Sequence, residues 1–191
     1  MNTLHSFAFT DQGNTYQIGK KFPTFIIAEL SANHSKSLSK ALKLLDISAT
    51  AGVNAFKLQT YTPQSMTVDS NLPPYIINDK NSPWHNEKLF SLYEKAQTPW
   101  EWFPILQKKA NELNVVLFST PFDEESVDFL EQYNPPLYKV SSFEIHHFPL
   151  LKRIGQTKKP VIISTGIADD QDIKIAMETL YNNGCPNICL L

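Results

Sequence analysis

Residues 115–142 read VVLFSTPFDEESVDFLEQYNPPLYKVSS, and this stretch decides the fold. The apolar run Val115 to Thr120 predicts a strand. Asp123 stands where it can cap a helix whose Val127, Leu130 and Tyr133 share one face, and Pro135-Pro136 stops that helix. Leu137 to Ser142 then predicts a second strand. A strand, a helix and a strand joined this tightly form a crossover, which links parallel strands and lays the helix on one side of the sheet.

The same rhythm extends in both directions. Upstream, Thr24 to Leu30 predicts a strand. A helix from Leu38 to Ala51 follows, with Leu38, Ala41, Leu42, Leu45 and Ala49 on one face and Gly52 as its stop. Ala55 to Thr60 predicts the next strand. Downstream come a short helix through Leu150, Leu151 and Ile154, and a strand from Val161 to Thr165. A helix then aligns Ile173, Ala176, Met177 and Leu180 and stops at Gly184, before a last strand from Ile188 to Leu191. Ahead of them all, Phe7 to Ile18 alternates around Asp11-Gln12-Gly13-Asn14, the pattern of a short β-hairpin. One connection is long. Between Tyr61 and Gln97 an insertion carries Tyr75, Trp84, Phe90 and Tyr93, with a short helix expected over Glu87 to Ala96. It is either a lid or binding loop, or an excursion that packs its aromatics on the outer wall. After it, Thr98-Pro99-Trp100-Glu101 has the order of a capping box with Pro at the first helical position.

Repeated βα units imply a parallel sheet with helices outside it. An open doubly wound sheet for dinucleotides carries a Gly-rich phosphate loop after its first strand, and none is present here. The expectation is therefore an α/β chain with residues 1–22 as an N-terminal hairpin and residues 23–191 as part of a (β/α)8 barrel. Six strands fit in 191 residues, short of the eight, spread over about 250 residues, that close such a barrel. Acidic and basic residues nearly balance, 19 against 17, with no basic run of the kind that follows nucleic acid. Met1 to Thr10 lack the pattern of a signal peptide, and no apolar run is long enough to span a bilayer. Cys185 and Cys189 make no disulfide framework and lack the further ligands of a zinc site, which agrees with a reducing cytoplasm.

The chemistry is expected at the strand ends. Buried parallel strands should be apolar throughout, yet these finish in Glu29; Lys57 and Gln59; Ser119 and Thr120; Lys139, Ser141, Ser142 and Glu144; Ser164 and Thr165. A single polar residue there is commonly a helix cap. Five polar ends, with two lysines and two glutamates among them, point to a site at the C-terminal rim where barrel enzymes act. Lysines and hydroxyls suit a phosphate and a carboxylate, and glutamates can place water or move protons.

Five motifs give these residues a family. Phe25-Ile26-Ile27-Ala28-Glu29-Leu30-Ser31-Ala32-Asn33-His34, Lys57-Leu58-Gln59-Thr60-Tyr61-Thr62-Pro63 and Phe118-Ser119-Thr120-Pro121-Phe122-Asp123 resemble the first three strand motifs of the sialic acid synthase family. Tyr138-Lys139-Val140-Ser141-Ser142-Phe143-Glu144 and Ser164-Thr165-Gly166 resemble the next two. Ser31-Ala32-Asn33-His34 and Leu92 to Trp102 are similar to its pseudaminic branch. The resemblance implies condensation of phosphoenolpyruvate with the open-chain aldehyde of an amino sugar, a 6-deoxy-2,4-diacetamido altrose in that branch. N-acetylneuraminate and legionaminate synthases are the alternatives within the family.

By resemblance, Lys57 and Lys139 hold the phosphoenolpyruvate anion, Thr120 and Ser142 donate to its oxygens, and Ser119 is the weaker candidate of its pair. Glu29 holds the aldehyde end or its metal-bound water, Gln59 lines the sugar pocket and Glu144 handles the proton of the attacking water. The family also uses a divalent metal (manganese, magnesium or cobalt), two later histidines that bind it, an Asn/Ser-x-Tyr phosphate segment and a C-terminal antifreeze-like domain within a homodimer. These are expected outside this stretch. No metal ligand is assigned to His5, His34, His85 or His146-His147, and the stretch by itself is expected to be inactive. A Schiff-base aldolase using Lys139 or Lys57 and a non-catalytic remnant are the competing expectations.

Overall fold

The computed structural model describes residues 6–191. Met1 to His5, and with them the expected position of His5 before the barrel, lie outside the described residues. The hairpin pairs β1 (Phe7–Asp11) with β2 (Asn14–Ile18) in antiparallel register, Asp11 opposite Asn14. Gln12 and Gly13 make the turn with φ of 48° and 79°. Positive φ at both central residues is what a tight two-residue hairpin needs, and glycine supplies it without strain at the second.

The remaining strands are β3 (Ile27–Glu29), β4 (Ala55–Thr60), β5 (Val116–Pro121), β6 (Tyr138–Val140), β7 (Val161–Ile163) and β8 (Ile188–Leu190). They form a six-stranded sheet in chain order, every neighbouring pair parallel. A doubly wound sheet reverses its order at a switch point. This one never reverses, so it is wound in one direction and curls as a half barrel.

Five helices cover the outside: α1 (Leu38–Thr50), and, after the insertion, a set from residues 103–112, 124–131, 148–156 and 170–182. Phe56, Leu58, Leu117, Tyr138, Val140, Val161 and Ile163 point outward into a core with Leu45, Leu106, Leu130, Leu150, Ile154 and Leu180 of these helices. Ala55, Val116, Phe118, Leu137 and Ile162 point inward and pack on Phe7 and Phe9 of the hairpin. Period-2 alternation thus separates two cores. Because Ala55 and Val116 open their strands, the hairpin plugs the N-terminal end of the half barrel and leaves the C-terminal end to the polar residues.

Inside the insertion lie α2 (Pro63–Met66) and α3 (Leu89–Ala96), followed by the outer helices α4 (Phe103–Glu112), α5 (Glu124–Glu131), α6 (Phe148–Gln156) and α7 (Asp170–Asn182). The α2 turn was not expected. Its signal was Thr62 and Ser65, which form a reciprocal capping box around Pro63. An antiparallel bridge of Ile76 with Lys88 ties the excursion together. Its base is stapled by Trp100, whose indole N–H donates to the Tyr61 carbonyl at 3.1 Å. Tyr61 is buried against Tyr93 and Phe122, whereas Trp84 is half exposed, so part of the aromatic set packs on the wall.

The capping box expected at Thr98 does not form. A 3-10 turn over Trp100–Trp102 precedes α4, with no side-chain cap at either start. Thr98 is buried and its hydroxyl is shared with His34 Nε2 at 3.3 Å, so it is not free for the backbone. Mid-helix Gly155 has a packing reason: a Cβ there would lie 2.8 Å from Asn183 Cβ and 2.9 Å from the Leu180 carbonyl oxygen, where α6 meets α7. Cys185 is buried beside a turn and Cys189 lies in β8; both are free thiols. No helix among the described residues is long and apolar enough to cross a membrane.

Candidate functional site

The site grows out of the strand alternation. In β4, Phe56 and Leu58 face the helices, so Lys57 and Gln59 face the interior. In β5, Phe118 faces inward, so Thr120 does too, and Gln59 stands opposite Thr120 in the register. In β6, Leu137 inward and Tyr138 outward put Lys139 inward. Three adjacent strands thereby bring two lysines to one mouth, above the layer sealed by Phe7 and Phe9.

Both lysines are almost wholly buried, at 8% and 6% exposed, a condition that charged side chains tolerate only with partners. Their partners differ. The Lys57 ammonium lies 3.3 Å from Glu29 Oε1 at the end of β3 and 3.5 Å from Thr120 Oγ1. The Lys139 ammonium donates to Ser164 Oγ at 2.5 Å and to the Val140 carbonyl at 2.7 Å, both neutral acceptors. Burial, reinforced by the Lys57 charge, pushes Lys139 down to about 8, while Glu29 and Glu144 oppose that shift. Lys57 is thus neutralised by a carboxylate, and among the described residues Lys139 has no ion pair.

The next turn supplies the other carboxylate. Ser142 begins a 3-10 turn, Phe143–His146, that holds Glu144, and Ser141 Oγ donates to Glu144 Oε2. Ser142 lies beside the loop after β7, its Cβ 3.9 Å from where a Cβ on Gly166 would be. Lys57, Thr120, Lys139, Glu29 and Glu144 therefore act on one mouth, with Gln59 on the same strand face and Ser142 on the adjoining rim.

Ser119 does not belong with them. It faces the helix layer, fully buried, and shares a 2.7 Å hydrogen bond with Thr60. Its neighbour Thr120 takes the inner position because consecutive strand residues face opposite sides. Ser164 was missed in turn: it was visible as a polar strand end in Ser164-Thr165-Gly166 but had no role until its contact with Lys139 appeared. His34 is a satisfied loop residue. Its Nδ1 accepts from the Lys36 N–H at 3.1 Å, and its ring packs edge-on against Trp102. The adjacent histidines diverge, His146 to Asp172 at 3.0 Å and His147 to the Leu150 N–H as a cap for α6.

Comparison with known proteins fits this geometry. The NeuB family model matches residues 44–191. The chain belongs to the NeuB family. It is 41% identical over 167 residues to the pseudaminic acid synthase of Campylobacter jejuni serotype O:2, which covers 87% of this chain and 48% of that protein. It is 41% identical over 155 residues to the pseudaminic acid synthase of Helicobacter pylori, covering 81% of this chain and 45% of that one. The crystal structure of N-acetylneuraminic acid synthetase from Leptospira borgpetersenii superposes with a TM-score of 0.79 at 26% identity, over 98% of this chain and 60% of that one. The chain thus spans about half the length of the curated relatives it matches. The resemblance drawn from the five motifs is one of family.

This NeuB-family mouth has two cations, two carboxylates and hydroxyl donors, which can bind an oxyanion and position a water molecule. None of these residues is assigned to the metal that the family resemblance implies. Among the described residues no group of three or more His, Cys, Asp or Glu side chains could hold a metal ion.

Proposed function

We propose that this chain supplies the phosphoenolpyruvate-binding half of a nonulosonic acid synthase of the pseudaminic type. Support comes above all from Lys57 and Lys139, two buried ammonium groups on the inner face of strands that flank β5, with Thr120 projecting between them. Burying two like charges side by side is costly without a counter-anion. A phosphate with a carboxylate, three bonds apart, answers that need.

In this reading Lys57, Lys139, Thr120 and Ser142 hold the anion and Ser164 fixes the Lys139 ammonium. The methylene carbon of phosphoenolpyruvate bonds to the aldehyde carbon of a 2,4-diacetamido-2,4,6-trideoxy altrose, oriented by Glu29 and Gln59. Water adds at C2 and Glu144 takes its proton. The tetrahedral centre collapses to the ketone with loss of phosphate, so phosphoenolpyruvate, aldehyde and water become a nine-carbon 2-keto acid and phosphate. Donors already aimed at the anion supply the main stabilisation. No step is assigned to a metal, for which these residues form no cage. The whole protein is placed in the cytoplasm as a homodimer, with the antifreeze-like domain and later metal ligands of the family.

The test uses the whole protein that carries this chain. With phosphoenolpyruvate and divalent metal, phosphate release should be faster with the diacetamido altrose than with N-acetylmannosamine or the legionaminic acid precursor. Oxygen-18 from water should enter the product at C2. Faster turnover of either other sugar would move the assignment within the family. One observation favours a second reading: a lysine held down to about 8 is also suited to imine formation. Borohydride reduction in the presence of a keto substrate separates the two. The synthase leaves no adduct on Lys139, and an aldolase does.

A further inference from the structure

Glu29 occupies an unusual place in this mouth. It closes β3, its side chain is 57% exposed, and yet its Oε1 sits 3.3 Å from the ammonium of a lysine side chain that is only 10% exposed. Its charge is also felt at Lys139. An exposed carboxylate at the entrance, facing the cations of an anion site, stands where an incoming oxyanion must bind. We propose that Glu29 is a built-in competitor: it neutralises Lys57 in the empty site and must leave that ammonium when an external anion takes it.

This rests on the assignment of Lys57 and Lys139 as an anion site. Three geometric facts carry it further. Lys57 has a carboxylate partner while Lys139, among the described residues, has the neutral Ser164 Oγ and Val140 carbonyl, so the pair is asymmetric. Thr120 Oγ1, at 3.5 Å, can stay with Lys57 after the exchange because a hydroxyl serves an ammonium and an anion alike. Glu29 is exposed enough to reach water once released, so leaving costs it little solvation. The exchange also gives the mouth an order of events: the anion enters first, and only then is the Glu29 carboxylate free to meet a second, polar ligand.

The experiment is a titration of the whole protein that carries this chain with inorganic phosphate at pH 6.5 and low salt, followed by calorimetry and by the carboxylate carbon-13 signal of Glu29. Lys139 is charged at that pH, which isolates the exchange. Glu29→Gln and Glu29→Ala should bind phosphate about threefold to fivefold more tightly than the parent, the size expected for loss of a half-exposed ion pair. In the parent, the Glu29 signal should move on saturation toward that of a solvated carboxylate. Equal or weaker binding by both variants, or a Glu29 signal indifferent to phosphate, overturns the proposal and makes Glu29 a support for Lys57. If Lys57→Met and Lys139→Met bind phosphate as well as the parent does, the anion site itself is wrong and the competitor falls with it.

Discussion

Ser119 and Thr120 are chain neighbours with opposite duties: the Ser119 hydroxyl is tied to Thr60 at 2.7 Å on the helix side, and Thr120 meets Lys57 on the inner side. The two hydroxyls should therefore separate stability from binding. Ser119→Ala leaves a buried Thr60 hydroxyl without its partner and should lower unfolding free energy by about 1–3 kcal/mol, with phosphate affinity unchanged. Thr120→Val keeps the shape but removes a donor to a charged ligand. It should weaken phosphate binding about tenfold, since hydrogen bonds to charged groups are worth roughly 1.5–3 kcal/mol. Urea melts and phosphate calorimetry on both variants check this, and a reversed pattern would reverse the inner and outer faces of β5.

Lys139 gives the mouth a pH dependence. Its folded value, about 8, lies below the ordinary lysine value of 10.5. Between those values the unfolded chain carries the extra proton, so this residue makes stability rise with pH from about 8 to 10.5. Anion binding runs the other way, because it needs the protonated form. If the anion is phosphoenolpyruvate, as proposed, its affinity should fall about tenfold per pH unit above about 8, with proton uptake on binding. Calorimetry in buffers of different ionisation enthalpy at pH 8.5 reads that uptake directly. Lys139→Met should bind weakly at every pH and take up no proton there. Unchanged uptake in the variant would assign the proton elsewhere.

Much of this was legible in the sequence, for identifiable reasons. The parallel strand order follows from short βα repeats, and β4 was placed at its observed bounds because Ala55 to Thr60 is flanked by clear breaks at Gly52 and Pro63. The convergence of Glu29, Lys57, Thr120 and Lys139 was visible as polar residues ending apolar strands. Facing was harder. Ser119 and Thr120 are both small hydroxyl residues, and only the position of Phe118 against Phe7 and Phe9 fixes which one points inward. Thr98 misled because a local capping pattern was overridden by a tertiary contact with His34, 64 residues away. Ser164 was overlooked because a hydroxyl beside a lysine on a neighbouring strand leaves no local pattern.

The plug can be tested apart from the mouth. Phe9 is 4% exposed, stacked on Tyr16 at 5.1 Å between centroids and edge-on to Phe25 at 5.7 Å. Phe9→Ala opens a cavity under the inner face and should cost about 3–5 kcal/mol of unfolding free energy. Phosphate affinity in the folded fraction should stay within about twofold, because the polar layer is built by the strands. A urea melt and a phosphate titration measure the two quantities. A small loss of stability would mean that the hairpin rests on the half barrel without sealing it.

The last test concerns His34, which holds the loop after β3 to the base of the insertion. Its Nδ1 accepts from the Lys36 N–H, so the neutral ring carries its proton on Nε2, the atom shared with Thr98. Burial first, and then the charge of Lys36, lower its pKa from the ordinary histidine value of 6.5, against the opposing pull of the Ala96 carbonyl. With the folded value lowered, the unfolded chain takes up the proton first as pH falls. The stability due to neutral His34 is therefore complete above about 6.5 and is lost as pH drops through and below it. His34→Gln cannot titrate, so its unfolding midpoint should vary less than the parent's between pH 7.5 and 5, at a cost of about 1–3 kcal/mol at neutral pH. Because His34 anchors the segment that begins at Thr98, acid should also speed amide exchange across residues 89–102 in the parent before the rest of the half barrel opens. Equal acid sensitivity in parent and variant would place the acid-labile contact elsewhere in the half barrel.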